Sequence, residues 1–437
     1  MAALKQLARQ IFHQTLAAID ISLTMQRKLP CKGSLLHCGG ATIDVSKFEN
    51  ICVVAIGKAA HTMVDGLKAC LPREVSFSGI VSASTAPVSP LPGFEYFVGG
   101  HPIPNEESWK AADAILEMLA RCGERTLVFF LLSGGGSALV ELPLDRGFSL
   151  ADVQQVHRAL VGCGAPIDAI NTVRKHFSAV KGGRLAAAAA HATKIMLAVS
   201  DVPAGKESAL ASGPTLPDPS TLEDMHKVLR DYPLLDKLPE VFNRWVAENA
   251  VPETPKAGAS AFNNSHFLLL LGMDDLFHPA HGAAEGLRFL TCCDNTTDDW
   301  PVERAAEYLL AQLAELKACN PSRRVAIIAD GEVSSPVTGD GIGGRNSAFV
   351  LACVERIAGQ RIAVLSAGTD GMDGNSPAAG AVADGETLSR ALAAGLDVRG
   401  SFQRSDAYPF FQRLDDAVVT GPTGNNLRDL RILIAEP

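Results

Sequence analysis

Residues 126–138 read TLVFFLLSGGGSA, an apolar run that ends in a serine, three glycines and a second serine. Continuous apolarity without alternation is typical of a strand that is covered on both faces, as in parallel sheets. We therefore predict a strand over 126–132. Similar runs predict further strands over 51–56, 79–83, 194–199, 324–329, 361–365, 416–420 and 431–434.

Helical stretches alternate with these strands. Apolar residues recur every three or four positions in an opening helix and in segments 58–71, 106–121, 151–161, 167–190, 302–317, 347–358 and 385–394. This alternation is the signature of α/β folds with parallel sheets. Residues 251–265 are rich in Pro, Gly, Ala and Ser, so we place a domain boundary there and expect domains 1–255 and 256–437.

The composition excludes several classes of partner. The chain has 437 residues, a net charge of −9 and no run of Lys or Arg, which makes it a poor binder of nucleic acid or anionic membranes. No apolar stretch approaches the ~18 residues that a membrane span requires. The ten cysteines show no CxxC spacing, which favours a reducing cytoplasm and argues against a zinc site.

Lys58 follows the predicted strand over 51–56 and begins the predicted helix over 58–71. Ligands of open α/β sheets gather at the carboxyl ends of strands, and an ammonium there can meet a phosphate or a carboxylate. The alternative is a solvated lysine in the first helical turn. That arrangement is unfavourable because the cation opposes the positive end of the helix dipole.

The glycine cluster after the strand over 126–132 predicts an anion site. Glycines without Cβ atoms allow main-chain N–H groups to converge on an anion, and two hydroxyls can add hydrogen bonds. A flexible linker is the alternative, but linkers do not lie between a buried strand and the next element. The residues concerned are Ser133, Gly134, Gly135, Gly136 and Ser137.

Arg174, Ser178 and Lys181 would share one face of the predicted helix over 167–190. Two cations on one face indicate either an anion or carboxylate partner or a solvated basic face, and both readings stay open. Asp201 follows the strand over 194–199, where a carboxylate can contact Mg²⁺ or a hydroxyl, or can cap a helix.

Two further clusters follow strands in the second half. Glu332 comes after the strand over 324–329, and a glycine loop then leads to Arg345 at a helix start. Gly339, Gly341 and Gly344 formally satisfy GxGxxG, but this loop lies too far from its strand for a dinucleotide fingerprint. The guanidinium of an arginine at this helix start can instead make bidentate hydrogen bonds to a phosphoryl group during its transfer.

Thr369, Asp370 and Asp373 follow the strand over 361–365 in a segment with interleaved glycines. Two carboxylates in this setting suit Mg²⁺ or a substrate hydroxyl. A pair of Asx turns is the structural alternative.

Several long motifs resemble those of the class II glycerate kinase family, whose C-terminal part is called the MOFRL domain. They include AIGKAA at 55–60, GHPIPNEES at 100–108, LLSGGGSAL at 131–139, NTVRKHFSAVKGGRLA at 171–186, GEVSSPVTGDGIGGRN at 331–346 and LSAGTDGMDGNSPAAGA at 365–381. These motifs occur in family order from about residue 50 to the C-terminus. Two departures are Asn105, where the family usually has Asp, and the segment 265–300, which does not resemble the family pattern.

The resemblance implies ATP-dependent phosphorylation of D-glycerate to 2-phosphoglycerate with Mg²⁺. It also implies a larger Rossmann-like N-terminal domain with a parallel sheet, a smaller mixed α/β MOFRL domain and an active site in the cleft between them. The family's invariant lysine and arginine fall on Lys58 and Arg345.

We combine these observations into a hypothesis for the site. Lys58 would neutralise the polyphosphate or the glycerate carboxylate, and Arg345 would meet the charge on the transferred group. Asp201 and Asp370 complete the predicted catalytic set, and Asp201, Asp370 and Asp373 are the predicted Mg²⁺ ligands. The predicted substrate- and phosphate-binding residues are Ser133, Gly134, Gly135, Gly136, Ser137, Arg174, Lys181, Glu332 and Thr369.

Two other functions compete with this one. A hydroxypyruvate reductase would need a nicotinamide site, and a non-catalytic nucleotide or sugar-acid binding protein would need none of the catalytic residues. The sequence indicates a cytoplasmic protein with small-molecule substrates, and it leaves open whether the chain forms a homodimer.

Overall fold

The computed structural model describes residues 2–200, 202, 205–425 and 427–437, so the predicted site residue Asp201 lies outside the described residues. The chain folds into two compact units. One unit is Ile21–Gly272, which we call the parallel-sheet unit. The other combines Met1–Asp20 with Met273–Pro437, and we call it the mixed-sheet unit. Each is described by itself.

The compact units differ from the predicted division at 255/256. The opening helix, α1 (Ala2–Ala18), belongs to the mixed-sheet unit, where Lys5 pairs with Asp416 at 2.6 Å. At the other end, residues 265–271 form the last strand of the parallel sheet. A boundary read from composition marks a region of irregular chain, but it does not show which sheet the flanking segments join.

The parallel-sheet unit contains a three-stranded antiparallel sheet and a six-stranded parallel sheet. The small sheet comprises β1 (Cys31–Lys32), β2 (Leu35–Cys38) and β3 (Ala41–Asp44). The large sheet comprises β4 (Asn50–Ile56), β5 (Ser78–Ala83), β6 (Phe94–Val98), β7 (Thr126–Leu132), β8 (Thr193–Val199) and β9 (Ser265–Leu271).

The large sheet has the strand order β6-β5-β4-β7-β8-β9, and all of its neighbours are parallel. This is the strand order of a Rossmann-like fold, in which the strand order reverses between β4 and β7. The predicted Rossmann-like parallel sheet is therefore confirmed. The reversal point is where ligands of such sheets bind.

Nine α-helices described in this unit connect or cover the strands. They are α2 (Ile21–Lys28), α3 (Ala60–Cys70), α4 (Glu106–Leu119), α5 (Gly136–Leu139), α6 (Leu150–Val161), α7 (Ile167–Phe177), α8 (Arg184–Ala188), α9 (Leu222–Asp231) and α10 (Glu240–Ala247). Short 3₁₀ segments lie at Val45–Lys47, Glu207–Ser212 and Ser260–Phe262.

The core of this unit lies in two places. Buried side chains of β4, β7 and β8 pack against α4, with Phe130 and Ile115 fully covered. A second cluster joins α6, α7, α9 and α10 around Phe177, Phe242 and Trp245. Phe177 ends α7, so this cluster fixes the helix that carries Arg174.

The mixed-sheet unit contains one six-stranded sheet of order β10-β11-β15-β12-β13-β14. Only the pair β10 and β11 is parallel among these described neighbours, and β15 runs antiparallel between β11 and β12. The strands are β10 (Leu290–Asp294), β11 (Val325–Asp330), β12 (Ile362–Gly368), β13 (Gly380–Asp384), β14 (Ala417–Val418) and β15 (Asp429–Ala435).

Helices of the mixed-sheet unit pack on this sheet over a core that includes Leu309, Phe349 and Phe410. They are α11 (Asp274–Gly286), α12 (Val302–Cys319), α13 (Arg345–Val354), α14 (Thr387–Ala393), α15 (Val398–Gln403) and α16 (Ala407–Arg413). The predicted α/β class is thus confirmed, while the expectation of parallel pairing holds for one sheet only. Within the described chain, none of the helices combines the length and apolarity needed to cross a membrane.

Candidate active site

Two loops at the carboxyl edge of the parallel sheet are joined by hydrogen bonds. The loops follow β4 and β7, whose last residues are paired in register. The backbone N–H of Lys58 donates to the carbonyl of Gly134 at 3.0 Å. The backbone N–H of Ala59 donates to the Ser133 hydroxyl at 3.0 Å. Two of the predicted functional segments therefore meet at the point where the strand order reverses.

Glycine is required at several positions of these loops. Gly57 has φ of +128°, and a Cβ there would lie 2.6 Å from the carbonyl oxygen of Ser133. Gly135 has φ of +85°, a region that favours glycine. At Gly136 a Cβ would lie 2.7 Å from the Cβ of Ala211. The glycines thus serve both the loop conformation and the close approach of neighbouring segments.

The two serines of the glycine loop have protein partners. Ser133 is buried, and its hydroxyl accepts the bond from the loop after β4. The Ser137 hydroxyl lies 2.8 Å from the Ser212 hydroxyl, which donates to Asn171 Oδ1 at 3.0 Å. These hydroxyls hold the loop in place, so the glycine backbone is the part of the predicted nest that remains for an anion.

Basic side chains surround the glycine loop. Lys58 is exposed, and its Cγ would be 3.5 Å from a Cβ placed on Gly135, while the His101 ring would be 3.4 Å from it. Partial burial lowers the pKa of His101, and the charges of Lys58 and Arg174 lower it further. The site therefore places the His101 imidazole, whose pKa is lowered, beside two basic side chains, as an anion-binding site would.

Glu141, two residues after α5, draws together several buried polar side chains. Its carboxylate accepts from Lys181 Nζ at 2.6 Å and from Ser178 Oγ at 2.5 Å, and it lies 2.8 Å from His157 Nε2. Burial alone would raise the pKa of Glu141, but Lys181 and His157 outweigh it and lower the pKa to about 2. The carboxylate is therefore charged at neutral pH.

The predicted helix over 167–190 is wrong as a single element. It ends at Phe177, and Gly182 and Gly183 have φ of +55° and +84° before α8 begins. Lys181 consequently does not share a helical face with Arg174. Its ammonium is buried and donates to Glu141, so it acts inside the protein rather than toward a substrate.

Arg345 begins α13, as predicted, and two carboxylates hold its guanidinium. Its Nε donates to Asp429 Oδ2 at 2.5 Å, and its terminal nitrogens reach Glu332 at 2.7 and 2.8 Å. Burial alone would lower the pKa of Arg345, but these two acids raise it above its usual range. The structure therefore brings the predicted residues Arg345 and Glu332 together.

Asp373 has both carboxylate oxygens engaged at the start of α13. It accepts from the backbone N–H groups of Asn346 and Ser347, each at 2.9 Å, and from the Ser347 hydroxyl at 2.6 Å. Burial raises the pKa of Asp373 although these hydrogen bonds favour the charged form. Its described contacts are those of a helix cap.

Thr369 is buried, and its hydroxyl accepts from the backbone N–H groups of Leu427 and Arg428 at 3.1 Å. It therefore anchors the segment before β15. Asp370 is partly exposed and accepts from the N–H of Met372 at 3.0 Å in an Asx turn. Of the three predicted residues in this segment, Asp370 is the one that the structure leaves at the surface.

Asp330, the last residue of β11, is a buried acid that sequence reasoning missed. Neither of its carboxylate oxygens has a hydrogen-bond partner among the described residues. Burial raises the pKa of Asp330 to about 6, against the opposing charges of Arg428 and Arg431. Arg428 itself pairs with Asp298.

The described residues contain no group of three His, Cys, Asp or Glu side chains that could hold a metal ion. Asp201, one of the predicted ligands, lies outside them. Mg²⁺ commonly takes only one or two protein carboxylates together with substrate phosphates. The described part of the chain thus shows no built magnesium site, and the predicted ligands stay predictions.

Three residues of the site escaped prediction for different reasons. His101 follows β6, an edge strand whose alternating residues FEYFV were a usable signal. Asp429 is the first residue of β15, just outside the predicted strand over 431–434. Glu141 carried no local signal, because its partners come together only through tertiary packing.

Two family models match the chain. The model described as "Domain of unknown function (DUF4147)" matches residues 7–247, and the model described as "MOFRL family" matches residues 325–429. The chain is therefore a protein of the two-part class in which a DUF4147 region precedes a MOFRL region.

Known relatives specify this class further. The chain is 33% identical over 433 residues to D-glycerate 2-kinase of Thermotoga maritima, covering 98% of each protein. It is 34% identical to a putative hydroxypyruvate reductase of Agrobacterium vitis, covering 98% of this chain and 94% of that one. The crystal structure of a T. maritima glycerate kinase superposes with a TM-score of 0.84 at 33% identity, with full coverage of both chains. The chain belongs to the class II glycerate kinase family.

Proposed function

We propose that the protein transfers the γ-phosphoryl group of ATP to the 2-hydroxyl of D-glycerate and so forms 2-phosphoglycerate. The observation that carries this proposal is the arrangement of Lys58, Arg174 and His101 around the glycine loop. This arrangement lies where strand order reverses in a Rossmann-like sheet, which is the place for an anionic ligand. Membership of the glycerate kinase family supplies the substrate pair.

The reaction exchanges one phosphorus–oxygen bond for another and transfers one proton. The glycerate oxygen bonds to the γ-phosphorus, the bond from that phosphorus to the β–γ bridging oxygen breaks, and ADP leaves. The hydroxyl proton passes to a base. Because the transition state spreads charge over phosphoryl oxygens, catalysis depends mainly on positioning and on charge stabilisation. We assign Lys58 and Arg174 to anion binding and Arg345 to the charge on the transferred group.

The described contacts of Glu332 and Asp373 narrow the choice of the base among the four predicted acids. Both oxygens of Asp373 serve the start of α13, and Glu332 is paired with Arg345. We therefore keep Asp201 and Asp370 as the candidate proton acceptors. Glu141 and Lys181 act as positioning residues, because their buried pair supports the segment next to the glycine loop.

Mg²⁺ is part of the proposal only as a companion of ATP. It would supply neutralisation of phosphate charge when bound, in keeping with its preference for phosphate and water ligands. No step is assigned to it here. We also propose a cytoplasmic location, supported by the ten cysteines, all of which are unpaired thiols.

The test is a coupled assay of ADP release with purified protein, ATP and D-glycerate, followed by NMR of the phosphoglycerate product. We expect 2-phosphoglycerate. Lys58→Ala and Arg345→Ala should each lower kcat/KM by about a hundredfold or more, as loss of a charged transition-state contact does. Lys68→Ala, an exposed lysine on the helix after Lys58, is the matched control and should retain activity.

Formation of 3-phosphoglycerate would replace the 2-kinase assignment by a 3-kinase one. Absence of ADP release with D-glycerate or any related sugar acid would instead favour a non-catalytic binding protein. Near-normal turnover in the Arg345→Ala variant would remove that arginine from the mechanism.

A reductase is the second candidate, because relatives named as putative hydroxypyruvate reductases match the chain along its length. Its nicotinamide site would need a glycine turn placed directly between a strand and a helix. The GxGxxG residues instead follow a long excursion after β11, which ends at Asp330, and precede α13. Oxidation of NADH by hydroxypyruvate, measured at 340 nm, tests this candidate directly.

A further inference from the structure

A cavity of about 490 Å³ lies within the mixed-sheet unit. This volume falls in the range of roughly 300–1,000 Å³ that is typical of sites for small molecules. Four segments contribute to its lining: residues 301–303 before and in α12, residues 334–338 of the loop after β11, residues 343, 344 and 348 at the start of α13, and residues 401–403, 405 and 407 around α15 and α16.

Hydrogen bonds fix the loop that forms one wall of the cavity. Ser334 N donates to the carbonyl of Trp300 at 2.8 Å, and Val302 N donates back to Ser334 O at 3.0 Å. At the other end, the Thr338 hydroxyl donates to the carbonyl of Gln403 at 2.6 Å. The wall is therefore anchored on both sides, and the cavity is a formed site rather than a gap under a loose segment.

The walls of the cavity are mainly apolar. Val302, Pro336, Val337, Ala348 and Phe402 provide side chains that can cover a flat ring. Among its lining residues, all of them in the described chain, the only charged side chain is Glu303. A small anion such as glycerate would find no counter-charge here, whereas a neutral aromatic body would be covered on several sides.

We propose that this cavity holds the purine nucleoside of the phosphoryl donor. The inference rests on the proposed kinase function, which supplies a substrate with a large, uncharged, aromatic part. Of the two proposed substrates only ATP has such a part. Polar side chains in the lining, at Glu303, Ser335, Ser401 and Gln403, can meet the ribose and the edge of the base, whereas the Ser405 hydroxyl already accepts from Thr338 N.

The position of the cavity beside Arg345 supports this assignment. Gly343 and Gly344 line the cavity and immediately precede Arg345, while Ser334 follows two residues after Glu332. The backbone N–H groups of Asn346 and Ser347 at the start of α13 already donate to Asp373, so we do not assign them to the phosphates. Arg345 directly follows this wall of the cavity in the sequence, and we assign its guanidinium to the phosphate chain as part of the proposal.

Ala348 offers a direct test, because it is a half-exposed alanine of α13 that lines the cavity. Ala348→Phe fills the cavity, and Ala352→Phe, one turn further along the same helix and outside the cavity, is the matched control. Binding of adenylyl imidodiphosphate and of inorganic tripolyphosphate is measured by calorimetry. We expect Ala348→Phe to weaken the nucleotide by about tenfold or more and to leave tripolyphosphate unchanged.

A second variant tests the cavity without filling it, so its result does not depend on whether Ala348→Phe folds. Val337 is 82% exposed at the cavity mouth, so Val337→Trp places a fluorescent ring there without disturbing packing. Adenosine should quench this indole. Leu235→Trp, at an exposed position of the parallel-sheet unit, is the control and should not respond.

The outcomes separate this inference from the proposed function. Unchanged nucleotide affinity in Ala348→Phe, or an indole at 337 that adenosine does not quench, overturns the cavity assignment even when glycerate is still phosphorylated. If the wild-type protein gives no turnover with glycerate while both binding results appear, the kinase proposal fails and the nucleoside site stands. A wild-type protein that binds tripolyphosphate as tightly as the nucleotide also overturns the assignment.

Discussion

Replacing Lys181 by methionine removes the ammonium that keeps the buried carboxylate of Glu141 charged. The two side chains are 1% and 0% exposed, and the nitrogen lies 2.6 Å from the carboxylate oxygen. In the variant, Ser178 and His157 are the remaining side-chain partners described for this carboxylate. A buried charge without its counter-ion retains its desolvation penalty, so we expect Lys181→Met to be strongly destabilising.

Two considerations set the scale of the expected loss in the free energy of unfolding. Breaking a buried ion pair by removing one partner destabilises a protein by about 3–5 kcal/mol. The pKa of Glu141 falls from 4.5 to about 2 in the folded protein, and this net shift, to which His157 also contributes, corresponds to about 3 kcal/mol for the carboxylate with all of its partners. Burial lowers the pKa of Lys181 in the opposite, unfavourable sense, so we take the loss from the broken buried pair as the better guide. The stabilisation from the Glu141 carboxylate is present above pH 4.5 and is lost as the pH falls toward 2, because the lowered pKa belongs to the folded state. At pH 7 the full effect of Lys181→Met should therefore be observed.

His157 gives this variant a distinctive pH dependence. Burial lowers the pKa of His157 in the wild type, and the charges of Lys181 and Arg174 lower it further. Glu141 raises it, but not enough to offset these effects. Without Lys181, the imidazole can take up a proton and pair with the carboxylate. The folded variant would then bind more protons than the unfolded chain, so its stability should fall as the pH rises. We expect a smaller loss at pH 6 than at pH 8.

Urea unfolding followed by tryptophan fluorescence measures the effect. In a Trp300→Phe background the remaining tryptophans, Trp109 and Trp245, both lie in the parallel-sheet unit. Lys206→Met is the matched control, since Lys206 pairs with Asp168 at 2.7 Å but the two side chains are 57% and 59% exposed. Breaking that surface pair should lower the free energy of unfolding by less than about 1 kcal/mol.

The reasoning is refuted if Lys181→Met is no more destabilising than Lys206→Met. The double variant Glu141→Gln/Lys181→Met supplies a second check. Because neither charge remains, it should recover part of the stability lost by Lys181→Met alone. A double variant whose loss equals the sum of the single losses would show that the two residues are not coupled.

Three other substitutions probe separate features of the fold. Burial raises the folded-state pKa of Asp330 to about 6, so the wild type should lose about 3 kcal/mol of stability as the pH rises from 4 to above 6. Asp330→Asn should remove this loss, and urea titrations should show a larger gain in stability at pH 8 than at pH 5; an equal gain at both pH values would contradict the reasoning. Asp373→Ala should lower stability by about 1–2 kcal/mol through loss of the helix cap at Ser347, and an unchanged melting temperature would contradict that role. Gly57→Ala should place a methyl group against Ser133 and reduce kinase turnover by at least about tenfold, and normal kcat would show that the loop adapts.

Much of the strand framework could be predicted from the sequence. All eight predicted strands are present, although the one predicted over 416–420 is reduced to Ala417–Val418. The buried strands are recognisable because continuous apolar runs leave few alternatives. The strands Phe94–Val98, Ser265–Leu271, Leu290–Asp294 and Gly380–Asp384 and the small sheet over residues 31–44 were not among those predicted. Gly380–Asp384 is fully buried, but its small residues do not form the long apolar run that marked the other buried strands. Strand pairing in the mixed sheet also escaped prediction, because the last strand of the chain inserts between two earlier ones.

The candidate site was predicted in part. Strand-end position singled out Lys58 and the glycine loop as candidates, because ligands of α/β sheets gather at such ends, and a glycine loop before a helix start singled out Arg345. Helical periodicity misled at Lys181, where the two glycines that follow it indicated a break in the helix. No local pattern indicated Glu141, which draws its partners from α6 and from the segment after α7. Long-range polar networks of this kind are visible only once the chain is folded.

Charge balance distinguishes the two candidate regions. Around the glycine loop, Lys181 neutralises Glu141, and the charges of Lys58 and Arg174 both act on His101, so cationic groups gather where a carboxylate or phosphate could bind. Arg345, in contrast, pairs with Asp429 and Glu332, so part of its charge is already neutralised. A bare anion gains little there, whereas a ligand whose charge is partly neutralised and whose main affinity comes from an uncharged body can bind. The arrangement thus favours the small acid substrate at the glycine loop and the nucleotide in the mixed-sheet unit.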